Sequence, residues 1–185
     1  MDAPQPGNFW KIPFFWEPRL PVPSESSRLT FEPAPAAWLL QAVASVMEAS
    51  SDESDQAAVA QLGAPGAAAE LLAVDAEFFD WHPGWWQRAT DTSGQHAGFV
   101  LPVLLKPEKY WRDGKCQGSI YYMGVLPGFR GAGYAGELLA QATRTLAAVG
   151  CWRIFCDTGA TNTPMVAAFR RSGYEERSPW ERPLR

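Results

Sequence analysis

The stretch 125–139, VLPGFRGAGYAGELL, restricts what this chain can build more than any other. It reads as a strand end, a tight glycine-rich turn and a helix start. Gly128, Gly131 and Gly133 bring bare backbone together where the helix begins. Unpaired N–H groups at a helix N-terminus, together with the positive end of the helix dipole, form a ready anion site. Arg130 adds a cation beside it. The turn is therefore expected to hold a ligand that carries phosphate.

Bulk properties narrow the class of that ligand and its setting. The chain has 185 residues, 46% of them apolar, which suits one domain with a real core. A net charge of −4 argues against a broad grip on nucleic acid, which needs a basic face. No apolar run approaches the ~20 residues that span a bilayer, and the N-terminus lacks the basic and apolar regions of a secretory signal. Cys116, Cys151 and Cys156 have no metal-binding spacing, so no metal is expected. Their odd number suits buried free thiols in a reducing cytoplasm. Nine tryptophans suggest large packing units or pocket walls.

Residues 1–27 hold Pro4, Pro6, Pro13, Pro18, Pro21 and Pro23, which exclude a helix. Phe9, Trp10, Phe14, Phe15 and Trp16 argue against a free tail. An irregular or edge-strand extension packed on the main unit, residues 28–185, is expected. A short strand at 28–31 precedes a helix at 36–49, where Leu39, Leu40, Val43, Val46 and Met47 recur at helical spacing. The acidic run 50–55, SSDESD, reads as a solvated loop or as the start of the next helix, with attraction of a cationic substrate as the functional alternative. Helices follow at 56–62 and 67–79, parted by Gly63-Ala64-Pro65-Gly66. Strands are expected from about 85 to 90 and over 96–105, with DTSG as the turn between them. Pro102 marks an edge or a bulge. A further strand at 119–125 carries Gly124, a second bulge signal. Then come a helix at 134–148, a strand at 151–157, a helix at 165–172 opened by Pro164, and two short strands at 174–177 and 180–184.

Gly131-Ala132-Gly133-Tyr134-Ala135-Gly136 matches the dinucleotide pattern G-x-G-x-x-G, but its context does not. Four residues, 127–130, separate it from the strand, and too little chain follows for a doubly wound sheet. The better match is R-x-x-G-x-A at Arg130–Ala135, preceded by Val125-x-Pro127. Asn162, Phe169 and Ser172-Gly173-Tyr174 form a second block. Together the two blocks resemble the GNAT superfamily of N-acetyltransferases, which use acetyl-coenzyme A. The resemblance covers 119–174 well and the first half only loosely.

The resemblance implies a mixed α/β fold. Its mostly antiparallel sheet of about six or seven strands would be flanked by helices and splayed between 119–125 and 151–157. It implies that Met123 and Val125 meet the pantetheine arm of acetyl-coenzyme A. Arg130, Gly131, Ala132, Gly133, Tyr134 and Ala135 would meet the diphosphate, and Asn162 and Phe169 the thiol end. Asn162 can equally cap the helix that follows it. The implied reaction is transfer of an acetyl group to an amine of a small molecule or peptide. Two departures leave the catalytic residues unassigned. Phe169 stands where many relatives carry a tyrosine, and 119–122 supplies no acid. A catalytically inactive acyl-coenzyme A-binding sensor is therefore the second reading. Tyr122, Asp157, His82 and His96 are the groups able to handle protons. Against each stands a plainer role: sheet packing for Tyr122, strand-end hydrogen bonding for Asp157, turn and strand positions for the histidines. Trp81, Trp85, Trp86 and Trp111 can wall an acceptor pocket or pack the core. Arg170 and Arg171 can touch phosphates or compensate their helix end. No motif encodes an oligomeric state; a homodimer would form through edge strands or the aromatic-rich termini.

Overall fold

A computed structural model describes residues 3–183 of the chain. In chain order the elements are β1 (Asn8–Trp16), β2 (Leu29–Pro33), α1 (Ala36–Glu48), α2 (Glu53–Leu72), β3 (Phe79–Asp80), β4 (Gln87–Asp91) and β5 (His96–Leu105). They continue with β6 (Gln117–Val125), α3 (Tyr134–Ala148), β7 (Arg153–Gly159), α4 (Thr163–Arg171), β8 (Glu175–Glu176) and β9 (Trp180–Pro183). The expected strand position Leu184 lies outside the described residues.

All the strands join one sheet, ordered β2-β4-β5-β6-β7-β1-β8, with β3 added on β5 and β9 on β1. Among the described residues it has nine strands where six or seven were expected, because β1 and β3 join the sheet as well. Every pairing is antiparallel except β6 with β7, whose crossover is α3. Alternation along β5 builds two cores. Val100 joins Leu138, Leu139, Ala142 and Leu146 of α3 in one. Phe99 and Leu101 join Leu39, Val43, Val46 and Met47 of α1 and Ala67 and Ala68 of α2 in the other.

The N-terminal stretch is where expectation and structure part. β1 is neither irregular nor an edge: it pairs with β7 on one side and with β8 and β9 on the other. No break in the sheet falls at 27/28. Burial of Phe9, Ile12, Phe14 and Trp16, all at most 5% exposed, drives this placement. Each such side chain contributes roughly 1.5–3 kcal/mol. Pro13 is tolerated because a strand residue's N–H and C=O point to the same edge. Its carbonyl accepts from Arg177 N–H at 3.0 Å, so the missing donor faces the gap between β8 and β9 and spoils no bond to β7.

Other boundaries shift for local reasons. The expected pair of helices is present: α2 consists of two helical pieces parted at Gly63 (φ 69°, ψ 160°), inside the expected break, and the second piece ends at Leu72 rather than 79. Phe79 and Asp80 pair instead with Leu105 and Leu104. The last two strands pair with β1 and not with each other. Pro102 does mark a bulge: Leu101 opposes Tyr122 while Pro102 opposes Ile120, so Tyr121 is the extra residue of β6. Gly124 is not the bulge. A Cβ there would meet Val46 Cγ1 at 2.6 Å, so this glycine lets α1 approach the sheet. Among the described residues, no helix is long and apolar enough to cross a membrane.

Candidate active site

β6 and β7 pair only at Gln117↔Arg153, Gly118↔Ile154 and Ser119↔Phe155. Beyond that point they diverge, and a cleft of about 780 Å³ opens between them. One wall is the glycine turn. After β6 the chain makes a 3-10 turn, Pro127–Phe129, then passes through Gly131 (φ 84°) and Gly133 (φ 81°) into α3. Gly133 is the N-cap of α3, and no side chain caps the helix. Its first N–H groups are thus left for a ligand or solvent. Left-handed backbone at both glycines is what aims this helix start at the cleft.

Met123, Val125, Arg130, Gly131, Gly133, Tyr134, Ala135, Asn162 and Phe169, expected as binding residues, all line this cleft. Ala132 does not. Its carbonyl accepts from Arg28 Nη1 at 2.8 Å, on the outer side of the turn. Arg28 also pairs with Glu137 in the first turn of α3 and lies 5.0 Å above the Tyr134 ring. It pins the turn from outside. Arg130 lines the cleft with its guanidinium already bonded to the protein. Its guanidinium donates to the carbonyls of Ala49 at 2.6 Å and Val46 at 3.4 Å, at the end of α1. That helix has no basic residue in its last turn, and Arg130 satisfies carbonyls it leaves open. Asn162 occupies the N-cap position of α4 but makes no capping bond through its side chain. Its Oδ1 accepts from Ser51 Oγ at 3.3 Å instead.

The far end of the cleft is acidic and was not singled out by any motif. Asp52, the N-cap of α2, accepts from Ser54 N–H at 3.0 Å, from Gly159 N–H at 2.6 Å and from Thr158 Oγ1 at 3.3 Å. Lys11 of β1, 7% exposed, lies 3.4 Å from Asp52 and 3.5 Å from Asp157. Burial alone would raise the Asp52 carboxyl, but the Lys11 ammonium and the Gly159 and Ser54 N–H groups outweigh it and hold it below the usual range. Asp55, one turn further along α2 and 8% exposed, accepts from the Tyr122 hydroxyl at 2.9 Å. Burial, with the neighbouring Asp52 charge, pushes the Asp55 carboxyl up. Burial and Asp55 push the Tyr122 phenol well up, so it stays a donor. The run SSDESD is thus a helix start with two carboxylates turned inward. The signal was there: an N-cap aspartate followed by another acid at i+3 places both on one face.

The other candidates fall elsewhere. His82 accepts from Gly84 N–H at 3.1 Å within its own turn, and His96 bonds Thr90 at 3.0 Å. Trp81 stacks on Trp86 at 5.1 Å, and Trp111 donates to the Leu105 carbonyl. None of these, nor Trp85, lines the cleft. Arg170 is engaged by Glu176 at 2.7 Å, whereas Arg171 lines the cleft. Phe169, 3% exposed, stacks on Phe14 at 4.6 Å and meets Tyr174 edge-on.

Known proteins share this architecture. The Sphaerobacter thermophilus GCN5-related N-acetyltransferase superposes with a TM-score of 0.56 at 16% identity, covering 99% of this chain and 53% of that one. An acetyltransferase from the GNAT family of Colwellia psychrerythraea gives 0.54 at 15%, covering 94% and 54%. This chain thus spans about half the length of either. A glucosamine N-acetyltransferase region of a fungal multi-domain β-N-acetylglucosaminidase gives 0.56 at 14%, covering 93% of this chain and 20% of that one. At these identities the likeness is one of fold. The sequence profile of the acetyltransferase (GNAT) family matches residues 48–174, from the end of α1 through the second motif block, and the chain belongs to that family.

Proposed function

We propose that this protein transfers an acetyl group from acetyl-coenzyme A to an amine of a small molecule or peptide. The carrying observation is the cleft itself: an unpaired β6 edge beyond Ser119 runs into an uncapped helix start. In this reading the backbone of Met123 and Val125 binds the pantetheine amides. The N–H groups of Gly131, Gly133, Tyr134 and Ala135 receive the diphosphate, where helix dipole and open donors favour anions. Asn162 lies towards the thiol end, and Phe169 gives that end an apolar wall. Acetyl-coenzyme A supplies the acyl group already activated as a thioester. The chain's part is to hold the amine against it in line and to manage a proton. The acidic end at Asp52, Asp55 and Asp157 suits an acceptor that arrives as a cation. Free thiols at Cys116, Cys151 and Cys156 suit a reducing, cytoplasmic setting.

Calorimetric titration with acetyl-coenzyme A is the test; absence of binding at millimolar concentration overturns the proposal. The second reading, an acyl-coenzyme A sensor without turnover, draws on one observation: Phe169 is a core ring without a hydroxyl. Binding with no thiol release across a broad amine panel selects it.

A further inference from the structure

We propose that Tyr122 is the catalytic proton carrier of this site and that Asp55 is its positioning partner and proton store. The proposal rests on the acyl-transfer reading above. It starts from the bulge in β6. In an unbroken strand Tyr122 would face the same side as Ile120. The extra residue Tyr121 reverses this, so Ile120 packs with the α3 core while Tyr122 packs with α1 and α2. Tyr122 lines the cleft on the strand that borders the opening. Its hydroxyl is 2.9 Å from Asp55 Oδ2.

The surroundings leave this pair able to exchange a proton. Asp55 is faced by Asp52 at the cap of its helix, by Ser50 before that helix, by Lys11 of β1 and by Tyr122 of β6; the Arg130 charge also acts on Tyr122. Lys11 is committed to Asp52 and Asp157. Asp55 makes no ion pair among the described residues. A buried carboxylate bonded only to neutral donors accepts a proton readily. Phe169 has no hydroxyl and Asp157 is held by Lys11, so neither competes for the role.

The step balances without any further reactant. An acceptor that arrives as an ammonium first releases one proton to solvent; the neutral amine nitrogen then forms the C–N bond, and the C–S bond breaks with its electron pair on sulfur. The surplus proton on nitrogen passes to the Tyr122 oxygen as the phenol's own proton passes to Asp55. Return of one proton along the same two groups neutralises the thiolate. The products are the amide and the free thiol, and the pair ends as it began.

The test uses the full chain as wild type, Tyr122→Phe, Asp55→Asn and Asp55→Glu. The first readout needs no coenzyme A: tyrosinate absorbance against pH, with the Tyr122→Phe curve subtracted to isolate Tyr122. We expect Tyr122 to ionise above ordinary tyrosine, and Asp55→Asn to bring it down by removing the adjacent charge. In turnover, Tyr122→Phe and Asp55→Asn should lower kcat about 10²–10⁴-fold while acetyl-coenzyme A affinity stays within about threefold. The acid limb of the kcat profile, where Asp55 becomes protonated, should vanish in Asp55→Asn and return in Asp55→Glu. A Tyr122→Phe variant that binds acetyl-coenzyme A and keeps kcat within about threefold overturns this proposal alone. So does ordinary ionisation of Tyr122, which is read on wild type even if Asp55→Asn does not fold. A wild type that fails to bind acetyl-coenzyme A overturns the acyl-transfer reading instead, and the catalytic role with it.

Discussion

Replacing Asp52 by alanine should be among the most damaging single changes at the edge of the cleft, because this carboxylate joins three elements. It caps α2, meets the Gly159 N–H at the end of β7, and pairs with Lys11 of β1. Loss of the cap costs about 1 kcal/mol. Removing one partner of a buried ion pair typically costs 3–5 kcal/mol, since the other charge is stranded. Lys11 keeps Asp157 at 3.5 Å, which places the total near the lower end, about 3–4 kcal/mol. For a chain of this length each kcal/mol moves Tm by roughly 2–4 °C, so the melt should fall by about 10 °C. The assay is urea unfolding at pH 7 of Asp52→Ala, Lys11→Met and the double variant. The double variant should recover about 1–3 kcal/mol relative to the sum, since only Asp157 then lacks its partner. Acid should shrink the Asp52→Ala penalty. A carboxyl held low in the folded state stabilises fully above its unfolded value, near 3.9, and this contribution is lost as pH falls through the folded value. A penalty under about 1 kcal/mol, or strict additivity in the double variant, refutes the reasoning.

Two further outcomes follow from packing and burial. Gly124→Ala places a methyl 2.6 Å from Val46 Cγ1 and should destabilise by about 1–3 kcal/mol; a denaturation midpoint equal to wild type would show that α1 yields freely. Burial pushes the Cys156 thiol up to about 12, and burial with the neighbouring Cys116 does the same for Cys151. Since the thiolate is the nucleophile, a disulfide reagent at pH 8 should titrate only Cys116 in the native protein and all three thiols in denaturant. A second fast native thiol would contradict this.

What could be read from the chain alone was whatever local spacing determines. The α3 boundaries, 134–148, came out as expected because an apolar face and flanking glycines are properties of contiguous residues. The glycine turn was legible for the same reason. The two motif blocks, through their resemblance to the GNAT superfamily, implied the mixed sheet and its opening. What escaped depends on partners far away in sequence. Six prolines outweighed the apolar pattern of β1, and nothing local says that Pro13 falls opposite a gap between two short strands. The bonds of Arg130 were not legible, because the carbonyls it binds belong to residues 46 and 49. Asp52 and Asp55 sat in a run of polar residues that usually faces water. Only the arrival of Lys11 and Tyr122 from two strands makes the inward orientation favourable.

One residue in β6 accounts for much of what distinguishes the site. The last rung between β6 and β7 is Ser119↔Phe155, and the extra residue Tyr121 lies two positions further on. A bulge bends its strand and increases the local twist, so the point where the ladder is disturbed is also where the two parallel strands part. The same insertion turns two consecutive tyrosines towards α2. The Tyr121 hydroxyl donates to the Leu71 carbonyl at 3.0 Å, and the Tyr122 hydroxyl bonds Asp55 at 2.9 Å. A straight helix would set residues 55 and 71 about 24 Å apart. The break at Gly63 folds α2 so that both ends reach neighbouring residues of one strand. Opening of the cleft, anchoring of α2 and delivery of Asp55 to a hydroxyl inside that cleft are thus coupled. Deleting Tyr121 would leave Tyr122 beside Ile120 and, by regular alternation, still on the α2 face, but it would remove the hydroxyl that holds the Leu71 carbonyl and the bend at the cleft, so the bulge belongs to the site as much as to the sheet.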